Sequence, residues 1–224
     1  MTELVLIRHG QASFGAADYD VLSPLGHEQS RALGRALKAQ GLRPDSLWIG
    51  AQRRHRETLE GIAEGLGIDA TSPSIHPGLN EFDFTGLLEA RFRDRDRPAG
   101  LHDDRATHFR MLRDTVLAWQ RDEIADPPES WDAFATRVRA ARDAILSAGS
   151  EKGAIALAVS SGGAIGRMVA EAMEAPAAQM IHLQLQIRNC AVTRFRSGRT
   201  RTYLTGFNET PHILQETGHL LTYS

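Results

Sequence analysis

Near the start of the chain, the run LVLIRHGQ sets four apolar residues, Leu4 to Ile7, directly against Arg8, His9 and Gly10. A short continuous apolar run reads as a strand buried on both faces, the kind found inside a parallel sheet. Such a sheet turns the carboxyl ends of its strands toward a crevice where ligands bind. Arg8 and His9 are then placed at that rim, and Gly10 lets the backbone turn sharply or approach a ligand closely. An isolated Arg-His pair is more often only a core strand meeting water, so the other segments decide.

Those segments alternate. LSPLGHEQSRALGRALKAQG predicts a helix, with Ser23 as N-cap, Pro24 at the first helical position and Gly41 at the stop. Leu25, Ala32, Leu33, Ala36 and Leu37 share its inward face. DSLWIG (45–50) reads as a second strand, followed by a helix from Arg53 with Leu59, Ile62, Ala63 and Leu66 inward. Residues 71–92 predict a strand, a loop and a short helix. Two further helices run through Phe109, Leu112, Val116 and Trp119, and through Trp131, Phe134, Val138, Ala141 and Ile145. Ser130 caps the second of these and Gly149 ends it. KGAIALAVSSGGAIGRMVAEAM (152–173) reads as a buried strand, a glycine-rich turn and a helix. LQIRNCAVTRFRS and TRTYLTGFN read as two strands around Ser197-Gly198. This order implies an α/β three-layer sandwich with a largely parallel central sheet flanked by helices. Residues 1–224 are expected to form a single domain, with a helical cap inserted at about 82–150, where no strand is predicted.

The formal net charge of −2 is too small to suggest nucleic acid or an anionic membrane as a bulk partner. One cysteine, Cys190, excludes an intramolecular disulfide and a cysteine-rich zinc site. Glu3 and Arg8 bracket only four apolar residues, which argues against a secretory signal, and Ala154–Val159 is too short to span a bilayer. A soluble, cytoplasmic protein is expected, and a homodimer is compatible with the sequence. The nine histidines form no H-x-H or H-E-x-x-H pattern, so no metal is expected, and no G-x-G-x-x-G or Walker motif calls for a nucleotide cofactor.

Polar groups of one kind gather at the predicted strand ends. The first strand ends in Arg8-His9-Gly10, and GAQRRHRET (50–58) brings Arg53, Arg54 and Arg56 to the opening of a helix. SSGG (160–163) opens another helix, whose unpaired N–H groups and dipole favour an anion. In LNEFDF, Glu81 is a carboxylate in a segment apolar enough to raise its pKa. Arginines, a helix N-terminus and a glycine turn describe a phosphate site. A histidine among them suits a nucleophile, and a partly buried glutamate suits an acid.

LVLIRHGQ, LSPLGHEQSRALG, GAQRRHRETLEGIA, LNEFDF and AVSSGGAIGRMV together resemble, in order, the motifs of the histidine phosphatase superfamily, which includes the phosphoglycerate mutases. IRNCAVTRF and FNETPHIL extend the resemblance toward the C-terminus, and 91–150 is left unmatched. The resemblance implies a nucleophile at His9, phosphorylated on its ring during turnover. It implies phosphate clamps at Arg8 and at Arg54, the arginine of the family's S-x-x-x-R-A motif. It implies a proton donor at Glu81, and Ser161 and Gly162, at the opening of the helix after SSGG, are expected to contact the phosphate. The activity implied is metal-independent hydrolysis of a small phosphorylated metabolite, with mutase-type transfer as the alternative. Specificity is expected to lie within 82–130.

Two positions depart from the pattern. The family's V-S-H-G-G reads VSSGG, so Ser161 stands where a second histidine is usual, and Gly15 replaces an asparagine common six residues after the nucleophile. A serine hydroxyl donates one hydrogen bond but carries no charge and has less reach. The third reading is therefore a weakly active or non-catalytic phosphate-ester binding protein. His212 is a candidate substitute for the missing imidazole, but packing near the C-terminus is the favoured expectation for it. Arg53 and Arg56 are expected on the solvated face of their helix, and Arg91, Arg93, Arg95 and Arg97 on a solvated surface.

Overall fold

The computed structural model describes residues 2–13, 20–93, 105–149 and 153–223. Its centre is a six-stranded sheet made of β1 (Glu3–Arg8), β2 (Ser46–Ile49), β3 (Ser74–Ile75), β4 (Ile155–Ser160), β5 (Val192–Ser197) and β6 (Thr202–Glu209). The spatial order is β3-β2-β4-β1-β5-β6. The first four in that order run parallel; β5 runs antiparallel to β1 and pairs with β6 as a hairpin.

The period-two alternation of β1 and β4 separates two cores. Leu4, Leu6, Ala156 and Ala158 face one side, and Val5, Ile7, Leu157 and Val159 the other. The second side is covered by α1 (Pro24–Ala39) and α2 (Arg53–Leu66), through Leu33, Leu37, Leu59 and Ile62. The first side is covered by α5 (Trp131–Ala148) and α6 (Gly162–Ala172), through Phe134, Val138, Ile165 and Met168. The three layers expected from the sequence are present. α3 (Phe84–Arg91) and α4 (Arg105–Gln120) contribute Leu87, Leu88, Val116 and Trp119 to buried positions. No helix among the described residues is long and apolar enough to cross a membrane.

Capping follows the local chemistry. The Ser23 side chain accepts from the Gly26 N–H, with Pro24 opening α1, and the Ser130 side chain accepts from the Ala133 N–H of α5. α1 and α2 approach closely, since a Cβ at Gly34 would lie 2.3 Å from the Ile62 carbonyl oxygen.

Three local expectations change. SSGG holds no separate turn: β4 ends at Ser160 and α6 starts at Gly162, with Ser161 as its N-cap. The strand expected across LQIRNCAVTRFRS begins only at Val192, because Cys190 takes φ 54° and interrupts extended backbone. Upstream of it lies α7 (Gln179–Gln184), a helix the periodicity did not reveal.

Candidate active site

β1 and β4 are neighbours in register, Arg8 opposite Ser160, so their carboxyl ends bring His9 and Ser161 side by side. The His9 N–H donates to the Ser160 carbonyl at 2.9 Å. The ring is 5% exposed, and its Nδ1 lies 2.7 Å from the Gly10 carbonyl oxygen. A carbonyl only accepts, so Nδ1 carries the proton and the lone pair stands on Nε2. Burial first, and then the charges of Arg54 and Arg8 and the His55 ring, hold the His9 pKa well below its ordinary 6.5. Both the burial and the neighbouring charges favour the neutral imidazole, with its lone pair on Nε2.

α2 delivers Arg54 from its first turn. Arg54 is 6% exposed, and its Nη1 donates to Asp20 Oδ1 at 2.8 Å. Asp20 is anchored in turn by the Arg53 backbone N–H, 2.8 Å from Oδ2. Arg8 donates through Nη1 to the Ile187 carbonyl and, at 2.7 Å, to the Tyr223 carbonyl. These carbonyl anchors fix the guanidinium at the end of β1. Gly162 lies against it, since a Cβ there would sit 3.6 Å from Arg8 Nε. Thr58 ties α2 to the loop after β1, accepting from the Gly10 N–H at 3.0 Å and donating to the Arg54 carbonyl at 2.7 Å.

Glu81 comes from the loop before α3. Arg137 of α5 braces that loop by donating to the Asn80 carbonyl at 2.9 Å and the Pro77 carbonyl at 3.0 Å. The Glu81 carboxylate meets the start of α6, where Oε2 accepts from the Gly163 N–H at 3.0 Å. A Cβ at Gly163 would lie 2.1 Å from Glu81 Oε1, so only glycine lets the carboxylate approach the helix. Burial raises the Glu81 pKa above 4.5, against the Gly163 N–H, Arg54, the Phe82 N–H and Arg8, which pull it down.

The structure thus brings Arg8, His9, Arg54, Glu81, Ser161 and Gly162 to one end of the sheet. Arg53 is 61% exposed at its side chain and paired with Glu57 at 2.7 Å, and Arg56 is exposed. Arg91 donates to Thr115 Oγ1 at 2.7 Å and Arg93 pairs with Asp126 at 3.1 Å. Gly15, Arg95 and Arg97 lie outside the described residues. His212 is 3% exposed, and neither of its ring nitrogens has a hydrogen-bond partner.

Asp20, Gln52 and His55 were not singled out by sequence reasoning. Gln52 Oε1 accepts from the Glu81 N–H at 3.0 Å, and His55 Nε2 lies 2.7 Å from Ser161 Oγ. For His55 a signal existed in its place directly after Arg54; for Asp20 and Gln52 there was none. Among the described residues, no group of three or more His, Cys, Asp or Glu is arranged to hold a metal ion.

The chain is 31% identical to the 2,3-bisphosphoglycerate-dependent phosphoglycerate mutase of Chelativorans sp. (strain BNC1) over 131 residues, 56% of this chain and 58% of that protein. It is 34% identical to the enzyme of the same name from Methylobacterium sp. (strain 4-46) over 132 residues, 56% of this chain and 57% of that protein. The alignment thus spans a little over half the length of these curated relatives. Among solved structures, the alpha-ribazole phosphatase from Shigella flexneri superposes with a TM-score of 0.66 at 21% identity, covering 93% of this chain and 96% of that one. A phosphoserine phosphatase from Entamoeba histolytica gives 0.64 at 19%, covering 96% and 100%. These establish the shared fold. The sequence model of the histidine phosphatase superfamily (branch 1) matches residues 4–210, nearly the whole chain, and the chain belongs to that family.

Proposed function

We propose that the chain is a phosphomonoester hydrolase working through a phosphohistidine at His9, on a small phosphorylated metabolite and without a metal. One observation carries the reading: the Gly10 carbonyl fixes the His9 tautomer, so the Nε2 lone pair stands beside the charges of Arg54 and Arg8, which also act on Glu81. Phosphoryl transfer needs position and charge stabilisation more than covalent help, and two arginines supply the charge.

In the first half-reaction Nε2 bonds to phosphorus, the P–O ester bond breaks, and the Glu81 carboxyl proton passes to the leaving oxygen. In the second, the Glu81 carboxylate takes a proton from water while the water oxygen bonds to phosphorus. The P–N bond breaks, releasing phosphate and restoring His9. Gly162 and the Ser161 side chain line the phosphate position at the start of α6, where N–H groups favour an anion. Substrate choice is assigned to residues 82–130, which include α3, directly after Glu81, and α4, which packs on α3.

The curated relatives favour a second reading, mutase-type transfer, since those proteins are phosphoglycerate mutases. Phosphate release from p-nitrophenyl phosphate in EDTA, comparing wild type with His9→Ala, tests the first reading. Turnover in wild type that is lost in the variant is expected; equal turnover in both removes His9 as the nucleophile. Phosphoglycerate isomerisation that requires a bisphosphoglycerate would instead support the mutase.

A further inference from the structure

Beside the nucleophile lies a second buried imidazole to which the hydrolytic steps assign no role. His55 is fully buried on α2, its ring centroid 5.8 Å from that of His9. Its Nε2 is 2.7 Å from Ser161 Oγ, and its Nδ1 is buried without a hydrogen-bond partner. The space it occupies is provided by Gly50, where a Cβ would lie 2.4 Å from His55 Nδ1. Three positions therefore act together: Gly50 makes room, His55 fills it, and Ser161 is short enough to receive the ring. The S-x-x-x-R-A and V-S-H-G-G patterns place serine at 50, alanine at 55 and histidine at 161. All three differ here, and in compensating directions of size.

The direction of the hydrogen bond follows from the neighbours. Ser161 Oγ has a single proton, with Gln52 Oε1 at 3.4 Å as its acceptor. The His55–Ser161 bond is then donated by Nε2–H into the serine oxygen. The serine side chain makes no capping bond to α6. Its weakly held proton can turn to a phosphoryl oxygen, a charged and stronger acceptor.

We infer that His55 is a positioning residue of the phosphate site, donating to Ser161 Oγ so that the serine hydroxyl donates to the phosphoryl group. In this arrangement the imidazole beside the start of α6 comes from α2. This inference rests on the hydrolase reading for its catalytic consequence, though not for phosphate binding.

The test is a double-mutant cycle on His55→Ala and Ser161→Ala, with His55→Gln and the exchange His55→Ala/Ser161→His alongside. Turnover of p-nitrophenyl phosphate and the Kd of inorganic phosphate are both measured. Loss of one preorganised donor is expected to lower kcat roughly 10²-fold in either alanine variant, and the double variant should lose no more than the worse single. Gln, with an amide donor, should recover part of the loss, and the exchange should exceed His55→Ala by about tenfold or more. Ser161→His alone should be impaired, because two rings would compete for one space. Turnover within twofold of wild type in His55→Ala, or fully additive losses, overturns the inference. If His55→Ala does not fold, His55→Gln decides: reduced turnover together with weaker phosphate binding supports the inference, and wild-type turnover, or a loss without weakened phosphate binding, overturns it. A wild type that binds phosphate through His55 yet hydrolyses nothing would end the hydrolase reading and leave this inference standing. A wild type that hydrolyses through His9 and ignores His55 would do the reverse.

Discussion

His9 and Glu81 begin with pKa values in the wrong order for their proposed tasks. At ordinary values of 6.5 and 4.5, a neutral histidine and a protonated glutamate coexist only as a minority at any pH. The site moves both: burial and two arginines lower His9, and burial raises Glu81. Each shift enlarges the population with both groups in working form. Activity is therefore expected to follow a bell with its optimum on the acid side of neutrality, the acid limb belonging to His9 and the basic limb to Glu81. Glu81→Gln should remove the basic limb. It should cost roughly 10²–10⁴-fold on an alkyl phosphate, whose leaving oxygen needs a proton, and far less on p-nitrophenyl phosphate. A Gln variant that keeps the basic limb, with equal losses on both esters, would take the acid role away from Glu81.

At the scale of elements, the C-terminal segment is part of the site's support. Gln29 of α1 is fully buried; its Nε2 donates to the Leu220 carbonyl at 2.8 Å and to Thr222 Oγ1 at 2.7 Å, while Oε1 accepts from the Gln11 N–H at 2.8 Å. Thr222 then donates to Asn189 Oδ1 at 2.9 Å, and Asn189 Nδ2 donates to the His9 carbonyl at 3.1 Å. The same segment holds Arg8 through the Tyr223 carbonyl. Gln29→Leu keeps the volume but strands buried partners, which costs on the order of 1–3 kcal/mol each. A lower urea midpoint with an unchanged slope is expected, together with weaker inorganic phosphate binding as Arg8 loses its anchor. Full stability in that variant would show that the network carries little. None of this network could be read from the sequence. Arg8, His9 and Arg54 could be singled out because they end a strand, follow it and open a helix, features whose punctuation is local, whereas Glu81, in the loop before α3, stood out only as a carboxylate in an apolar segment. Gln29 and Leu220 are 191 positions apart, and His55 and Ser161 are 106 apart, so only the packed sheet makes them neighbours. Ser161 looked like a lost donor for the same reason: its partner belongs to another element.

For the molecule as a whole, the acid optimum expected of the proposed chemistry meets a fold expected to lose stability in acid. His9, His55 and His212 are all buried, and burial lowers the pKa of each. Of the three, His212 stands apart from the proposed chemistry: burial takes its pKa from 6.5 to about 4. Between those values the unfolded chain carries a proton on this ring that the folded chain does not. The unfolded state then binds more protons, so stability falls as pH drops below 6.5 and stops falling near the folded value. A shift of that size corresponds to about 3 kcal/mol, a large share of a domain's usual margin. His212→Leu removes the titrating ring from a site where neither nitrogen has a partner. Urea unfolding of the variant in phosphate-free buffer should therefore show a smaller loss between pH 7 and pH 4.5 than the wild type shows. His9 and His55 still titrate in the variant, so part of the acid loss remains. An identical pH dependence in the two proteins would mean that His212 already accepts its proton in the folded state. The acid edge of activity would then be set by His9 alone, whereas a shallower loss in the variant places the fold itself at that edge.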